Sequence, residues 1–215
     1  MLSGDIDLHP NTIKALSENS KYILLLPVCT GVVFISIFVI LRSHKLNLTM
    51  ADLKEGMKAP DFTGTDQQGN PVALKNLKGK KVILYFYPRD NTPGCTKEAC
   101  NLRDNYKELT DKGFEVIGVS ADSEKSHQNF IAKFDLPFNL ISDTEKTVLK
   151  AYGAWGLKKN YGKEYEGVIR STFIISPAGE ISSLWHKVKV RVKRKNGEVR
   201  HADIVKNKLE ELQTI

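Results

Sequence analysis

The chain has 215 residues, which is long enough for one well-buried domain with an extension. Its three cysteines, Cys29, Cys95 and Cys100, exclude the disulfide framework of a small secreted protein and suit a redox role in a reducing compartment better. The net charge is +7, but residues 186–200 carry seven basic side chains against one acidic, so the basic character belongs to one short segment.

The first 49 residues contain a candidate membrane segment. Residues 1–21 are polar and of mixed charge, which is typical of a flexible tail, and residues 22–41 contain no charged side chain. As a helix, this uncharged run would be about 30 Å long, the thickness of a bilayer core. It predicts a transmembrane helix, and the basic residues near its ends place the following domain on the cytoplasmic side of the inner membrane.

Strand and helix patterns alternate from residue 57 onward. Apolar runs and turn signals predict a hairpin at 62–71 and three core strands at 82–87, 114–120 and 138–142. Apolar residues at helical spacing predict helices at 95–112, after the capping residue Ser123, and around Val148 and Leu149. This alternation predicts parallel strands joined by crossover helices.

The C-terminal part follows a different pattern. Residues 171–176 and 181–185 are short apolar segments around a turn, and they predict an antiparallel hairpin. A last helix is expected at about 202–212. Together these elements predict an α/β fold with a mixed central sheet flanked by helices, an arrangement like that of thioredoxin, preceded by an N-terminal extension.

Residues 187–193 alternate strictly between basic and apolar side chains. This predicts an extended strand with its charges on one face, followed by a turn at 194–197. One interpretation is a surface for nucleic acid or an anionic membrane. We favour a solvated edge strand that its lysines protect from aggregation, so no nucleic-acid partner is expected.

Cys95 lies at the start of a predicted helix. The preceding strand ends at Pro88, and Thr92-Pro93 is an N-cap residue followed by a proline at the first helical position. In the first turn of a helix, free N–H groups and the helix dipole favour the thiolate, which is the nucleophilic form of cysteine. The alternative is a buried structural cysteine.

The spacing Pro88-x-x-x-Thr92-x-x-Cys95 resembles the active-site motif of peroxiredoxins. Other segments resemble the PrxQ branch, also called bacterioferritin comigratory protein: Ala59-Pro-Asp-Phe62, Gly118-Val-Ser120, Asp135-Leu-Pro-Phe138, Ala151-Tyr-Gly-Ala-Trp-Gly156 and Arg170-Ser-Thr-Phe-Ile-Ile175. The resemblance covers about residues 50–215 and implies a thioredoxin-like fold there. Since such proteins commonly begin at a position like Met50, the alternative for residues 1–49 is a wrongly assigned upstream segment.

This resemblance implies a thiol-dependent peroxidase that reduces hydrogen peroxide and organic hydroperoxides. Cys95 would be the peroxidatic nucleophile, Thr92 and Arg170 would supply donors to the peroxide oxygens, and Pro88 would form one wall of the pocket. Arg170 follows Cys95 by 75 residues, so its assignment depends on the resemblance. Thioredoxin or a similar thiol reductant is the expected partner of a monomeric enzyme, and neither a metal nor a cofactor is expected.

Cys100 is the candidate resolving cysteine, because the resemblance implies a disulfide between it and Cys95. In an intact helix, Cα atoms five residues apart are about 8.6 Å from each other. That separation exceeds the usual disulfide range of about 4.4–6.8 Å, so the start of the helix must unwind. The alternative is that Cys100 is a small residue facing the core.

Two other classes of function stay open from the sequence alone. A thioredoxin-like disulfide reductase would normally carry Cys-x-x-Cys, which the spacing of Cys95 and Cys100 does not match. A membrane-tethered redox interaction module would use the basic segment. Four further side chains, Tyr152, Trp155, Glu98 and Arg103, are expected to pack beside the domain or to orient the helix start, without a catalytic role.

Overall fold

Strand β3, Lys81–Phe86, is the centre of the fold because its side chains are apolar on both faces. Val82 and Leu84 pack in one hydrophobic core, whereas Ile83 and Tyr85 pack in a second core. A strand of this kind is stable only when both faces of its sheet are covered. Because the side chains of β3 alternate between the two faces, other elements must cover the sheet on both sides, which gives a layered domain.

The computed structural model describes residues 53–160, 162–194 and 197–212. All of them belong to one unit, Lys45–Ile215. The predicted tail at 1–21, the predicted membrane helix at 22–41 and Cys29 lie outside the described residues. Within the described ranges, no helix is long and apolar enough to cross a bilayer.

Eleven strands are present among the described residues. They are β1 Thr63–Thr65, β2 Pro71–Ala73, β3, β4 Phe114–Ser120, β5 Asn139–Ser142, β6 Trp155–Asn160, β7 Lys163–Val168, β8 Ser171–Ile175, β9 Ile181–His186, β10 Arg191–Arg194 and β11 Gly197–Arg200. Seven form one sheet in the order β2-β1-β5-β4-β3-β8-β9. Strands β3, β4 and β5 are parallel, whereas β8 is antiparallel to β3 and β9. The predicted mixed sheet and both predicted hairpins are confirmed.

Five α-helices and a short 3-10 helix, Leu74–Leu77, complete the described elements. The α-helices are α1 Pro93–Asp104, α2 Tyr106–Asp111, α3 Glu124–Phe134, α4 Thr147–Ala151 and α5 His201–Glu211. Side chains of α1, α2, α3 and α5 join the core that contains Tyr85, and α4 joins the other core. As predicted, Ser123 caps α3 by accepting a hydrogen bond from the backbone N–H of Ser126.

The single helix predicted at 95–112 is wrong, because the structure divides it into α1 and α2 at Asn105. The Asn105 side chain donates to the carbonyl oxygen of Asn101 at 2.7 Å, and its backbone has φ −101° and ψ 0°. An asparagine side chain that bonds to a nearby backbone group competes with the regular helical pattern. The apolar spacing continues through this break, so the sequence pattern did not reveal it.

The extended strand predicted at 187–193 is also wrong. Lys187 has φ 54°, a left-handed conformation, and the backbone N–H of Val188 donates to the carbonyl oxygen of Arg170 at 2.9 Å. Extended structure resumes only at β10, which pairs with β11 in a separate two-stranded sheet. The basic segment is therefore a hairpin apart from the main sheet and not its edge strand, and residues 195 and 196 of the predicted turn are not described.

Strands β6 and β7 form a hairpin that the sequence patterns did not predict. Most of its side chains are polar, so it lacks the apolar alternation of a half-buried strand. Before it lies Tyr152, which is fully buried in the core and donates to the carbonyl oxygen of Pro60 at 2.8 Å. Trp155 is partly buried and lies near Lys146, whose ammonium is 5.8 Å from the ring centroid.

Candidate active site

Cys95 is the third residue of α1, and only 2% of its surface is exposed. Between β3 and the helix, Asn91 adopts φ 56° and reverses the chain direction into Thr92, the N-cap residue. Pro93 follows at the first helical position, where its fixed φ fits and its missing N–H costs no hydrogen bond. The predicted position of the thiol at a helix start is therefore what the structure shows.

Arg170 contacts the thiol directly. Its Nη2 atom lies 3.0 Å from Sγ of Cys95. The sheet brings the two together, because β8 pairs with β3 in a register that sets Ser171 opposite Phe86. Arg170 precedes Ser171 and therefore lies beside the loop that leaves β3. A guanidinium at this distance stabilises negative charge on sulfur and presents further N–H groups around it.

Glu98 is a buried partner of Arg170, although the sequence predicts only that it orients the helix start. Its Oε2 atom forms an ion pair with Nη1 of Arg170, and its side chain is almost fully buried. Burial raises the pKa of this carboxyl group to about 7, although the charge and hydrogen bond of Arg170 act in the opposite direction. The spacing of three residues from Cys95 was the available signal, since it sets both side chains on one helix face.

Two other predicted residues, Thr92 and Pro88, lie in the loop before α1. The Thr92 hydroxyl donates to the carbonyl oxygen of Arg89 at 2.9 Å, which leaves its oxygen free to accept a hydrogen bond. It does not cap the helix through its side chain, so the N–H groups of the first turn remain available to a ligand. Pro88 is partly buried at the start of the loop, and its role as a pocket wall stays a prediction.

Cys100 lies on the same helix and is partly buried, and neither it nor Cys95 is in a disulfide. Helix α1 is continuous from Pro93 to Asp104, so the two cysteines have the spacing of an intact helix. That spacing of about 8.6 Å is too long for a disulfide. Bond formation between the two sulfurs therefore requires a change in the helix.

Lys158 and Tyr85 are two further side chains around the thiol that the sequence did not indicate. Burial and Arg170 lower the pKa of Lys158, whereas the charge of Cys95 raises it, and its Nζ atom donates to Val168 O at 2.9 Å. The Tyr85 hydroxyl is buried without a hydrogen-bond partner, and burial, followed by the charge of Glu98, raises its pKa. Both groups are therefore near enough to Cys95 for the charge of the sulfur to act on their pKa.

The arrangement places one thiol beside a guanidinium at the start of a helix. Within the described residues, no group of three or more histidine, cysteine or acidic side chains could hold a metal ion. A cysteine at a helix start beside a fixed guanidinium can attack an electrophilic oxygen, and donors surround the charge that develops. On a thioredoxin-like sheet, these features define a class of protein, the thiol-dependent peroxidases.

Comparison with known proteins agrees with this class. The family model described as AhpC/TSA matches residues 56–184. The chain is 51% identical over 138 residues to a bcp peroxiredoxin of Coxiella burnetii, covering 64% of this chain and 91% of that protein. It is 47% identical over 136 residues to peroxiredoxin Bcp of Bacillus subtilis, covering 63% and 87%.

Solved structures give the same result. A structure from work on the alkyl peroxide reduction activity of the Xanthomonas campestris bacterioferritin comigratory protein matches with a TM-score of 0.65 and 35% identity, covering 74% of this chain and 98% of that one. The chain therefore belongs to the AhpC/TSA family, as a peroxiredoxin of the Bcp or PrxQ branch. It is a thiol-dependent peroxidase.

Proposed function

We propose that Cys95 is the peroxidatic nucleophile of this enzyme and that Arg170 activates it. The observation that carries the proposal is the 3.0 Å contact between Arg170 Nη2 and Cys95 Sγ inside a buried site. A structural cysteine in an apolar core has no need of a charged donor at hydrogen-bond distance. The thiolate is the reactive form, and the guanidinium cation favours it.

In the first step, the Cys95 thiolate attacks one peroxide oxygen. A sulfur–oxygen bond forms, the oxygen–oxygen bond breaks, and the leaving oxygen takes a proton to become water or an alcohol. Cysteine is oxidised to sulfenic acid and the peroxide is reduced. Arg170 and the N–H groups at the start of α1 are the donors that would meet the developing negative charge. The Thr92 hydroxyl donates its proton to Arg89 O, so its oxygen would accept a hydrogen bond from the O–H of the peroxide.

In the second step, the Cys100 thiolate attacks the sulfenic sulfur. A sulfur–sulfur bond forms, the sulfur–oxygen bond breaks, and the leaving hydroxide takes a proton to become water, which gives a disulfide between the two cysteines. Since α1 holds them too far apart for this bond, the first turns of the helix must unwind. A dithiol reductant of the thioredoxin kind then reduces the disulfide by thiol–disulfide exchange and becomes oxidised itself. Both thiols are thereby returned to the state seen in the structure.

We propose hydrogen peroxide and organic hydroperoxides as the substrates. Support for the organic class comes from the Xanthomonas campestris relative, which was studied for alkyl peroxide reduction. In this chain, Arg170 Nη2 at 3.0 Å from Sγ and the N–H groups at the start of α1 supply polar donors beside the thiol. Such donors suit the two oxygens that hydrogen peroxide and organic hydroperoxides share.

The test is single-turnover oxidation of the full chain with Cys95→Ser as the comparison. We expect the wild type to consume one peroxide per chain and to show an added oxygen or a disulfide at Cys95 by peptide mass spectrometry. Cys95→Ser should consume none while unfolding at a similar urea concentration, because serine keeps nearly the same volume. Turnover of the variant near the wild-type rate would exclude Cys95 as the nucleophile.

The boundaries of the catalytic domain are also a proposal. We propose residues 50–215 as this domain, in agreement with the family match at 56–184 and with the described elements between Thr63 and Glu211. The membrane helix at 22–41 and the monomeric state stay predictions. Intact mass of the protein isolated from its source, followed by membrane fractionation, tests whether residues 1–49 are present and tether the enzyme.

A further inference from the structure

A buried polar network holds the loop that leads from β3 to α1. The Asp90 carboxylate is 6% exposed and accepts three hydrogen bonds, from Tyr87 Oη at 2.7 Å, Ser126 Oγ at 2.7 Å and His127 Nδ1 at 2.9 Å. The backbone N–H of Asp90 donates to Asp122 Oδ2 at 2.9 Å. One loop residue is therefore connected to the end of β3, to α3 and to the segment after β4.

His127 completes this network as a buried partner of Asp90. Its ring is fully buried, with Nδ1 facing Asp90 and Nε2 lying 3.2 Å from the carbonyl oxygen of Ile141. Both ring nitrogens therefore lie at hydrogen-bond distance from an oxygen. Burial acts to raise the pKa of Asp90, but the hydrogen bond and charge of His127, together with the hydrogen bonds from Ser126 and Tyr87, lower this pKa overall.

The network stabilises a loop that contains an uncommon backbone conformation. Asp90 is followed by Asn91 in the left-handed region, at φ 56°, and then by Thr92, the N-cap of α1. A residue other than glycine adopts this conformation at a cost, so the surrounding contacts must maintain it. Asp90 lies five residues before Cys95 and supplies those contacts on the loop side of the thiol.

We propose that Asp90, with His127, is a positioning residue for peroxide reduction. The pair fixes the loop so that the Thr92 hydroxyl and the first N–H groups of α1 meet the peroxide held at Cys95. This inference rests on the proposed role of Cys95 as the nucleophile. Neither Asp90 nor His127 reacts; each acts through the groups that the loop presents.

The test compares rate constants for oxidation of the full chain by hydrogen peroxide in single-turnover experiments. Asp90→Asn keeps the size of the side chain but turns one acceptor oxygen into a donor that faces other donors. We expect the rate constant to fall about 10- to 100-fold, since a small misplacement of reacting groups has effects of this order. An unchanged rate constant in the folded variant would overturn the proposal.

Asp143→Asn is the matched control for a merely structural role. Asp143 is also 6% exposed, and it accepts hydrogen bonds from the backbone N–H groups of Thr147 at 2.9 Å and Leu149 at 2.7 Å at the start of α4. We expect this control to lower the unfolding midpoint but to leave the oxidation rate constant unchanged. Equal losses of rate in the Asp90 and Asp143 variants would overturn the proposal.

Substitutions of Ser126 keep the test decisive if Asp90→Asn does not fold. Ser126 is partly buried, so Ser126→Ala removes one donor to Asp90 with little change in packing, whereas Ser126→Thr retains a hydroxyl. Ser126→Ala should slow oxidation and Ser126→Thr should restore most of the loss. Equal rate constants for the two variants and the wild type would overturn the proposal, whereas a wild type that does not react would overturn the proposed function itself.

Discussion

Arg170 binds the carboxylate of Glu98 through Nη1 and the sulfur of Cys95 through Nη2. Glu98 and Cys95 lie three residues apart on α1, so one face of the helix presents both groups to the arginine. The orientation of Arg170 toward the thiol therefore depends on a buried carboxyl group. Burial raises the pKa of that group to about 7, although Arg170 itself acts to lower it.

We expect the free energy of unfolding to decrease as the pH rises through the interval from about 4.5 to about 7, on account of Glu98. The pKa of this carboxyl is about 7 in the folded protein against an ordinary value of 4.5. The folded state thus binds more protons than the unfolded state in this interval, and stability is lost as they dissociate. The difference corresponds to about 3 kcal/mol.

Urea unfolding across this pH range, for the wild type and for Glu98→Gln, measures this contribution. The amide does not titrate, so the variant should lack the part of the pH dependence that Glu98 supplies. Parallel stability curves for the two proteins would show that the Glu98 carboxyl does not titrate differently in the folded state.

Arg170→Lys should slow oxidation of Cys95 by about 100-fold, the order of loss found when one donor to a developing charge is removed. Lysine keeps the positive charge but loses the planar set of donors that binds Glu98 and the sulfur together. Stopped-flow mixing with hydrogen peroxide measures the rate. Arg103→Lys is the control on α1, because Arg103 bonds to Asp104 and to the carbonyl oxygen of Phe134, and should leave the rate unchanged.

Local sequence patterns predicted most of the elements because each depends on neighbours in the chain. The apolar run of β3, the cap at Ser123 and the turn before β9 are examples. The patterns failed where a side chain or a distant backbone group decided the conformation. At Asn105 the side chain bonds to the backbone of Asn101, and the backbone N–H of Val188 bonds to Arg170, which lies in the distant segment between β7 and β8.

The residues of the candidate active site likewise divide into those that local patterns predict and those that distant contacts bring in. The positions of Thr92 and Cys95 at a helix start follow from local signals, and the structure shows them there. Arg170 could be named only through the resemblance to peroxiredoxins, since 75 residues separate it from the thiol. The three-residue spacing sets Glu98 on the same helix face as Cys95, but its contact with Arg170 joins two distant segments, as does the contact of Asp90 with His127, and local patterns do not predict such contacts.

Gly118→Ala should destabilise the protein by about 1–3 kcal/mol, the usual effect of overpacking a core. A Cβ at this position on β4 would lie 2.6 Å from Leu140 Cδ2 and 2.8 Å from the Tyr85 hydroxyl, both of which are buried. Urea unfolding measures the change. Gly167→Ala is the control, because its Cβ would meet the side chains of Tyr165 at 3.3 Å and Lys158 at 3.4 Å, which can move. An equal loss of unfolding free energy in both variants would contradict the packing argument.

Oxidation by one equivalent of peroxide should join Cys95 to Cys100 and unwind the first turns of α1. The reduced protein has an unbroken helix from Pro93 to Asp104 with both thiols free, and that geometry cannot close the bond. Amide hydrogen exchange across residues 95–102 should therefore become faster on oxidation. Peptide mapping should find the disulfide within one chain.

Cys100→Ser should still reduce one peroxide per chain but stop at sulfenic acid, because the thiol that attacks it is missing. The variant should then over-oxidise more readily, since an unresolved sulfenic acid reacts with further peroxide. It should turn over with a small thiol but poorly with a thioredoxin-like donor, which needs a disulfide to attack. The reduced wild type, measured in parallel, is the control for peptide mapping and for amide exchange. The unwinding step would be contradicted by a disulfide between two chains in the oxidised wild type, or by unchanged amide exchange across residues 95–102.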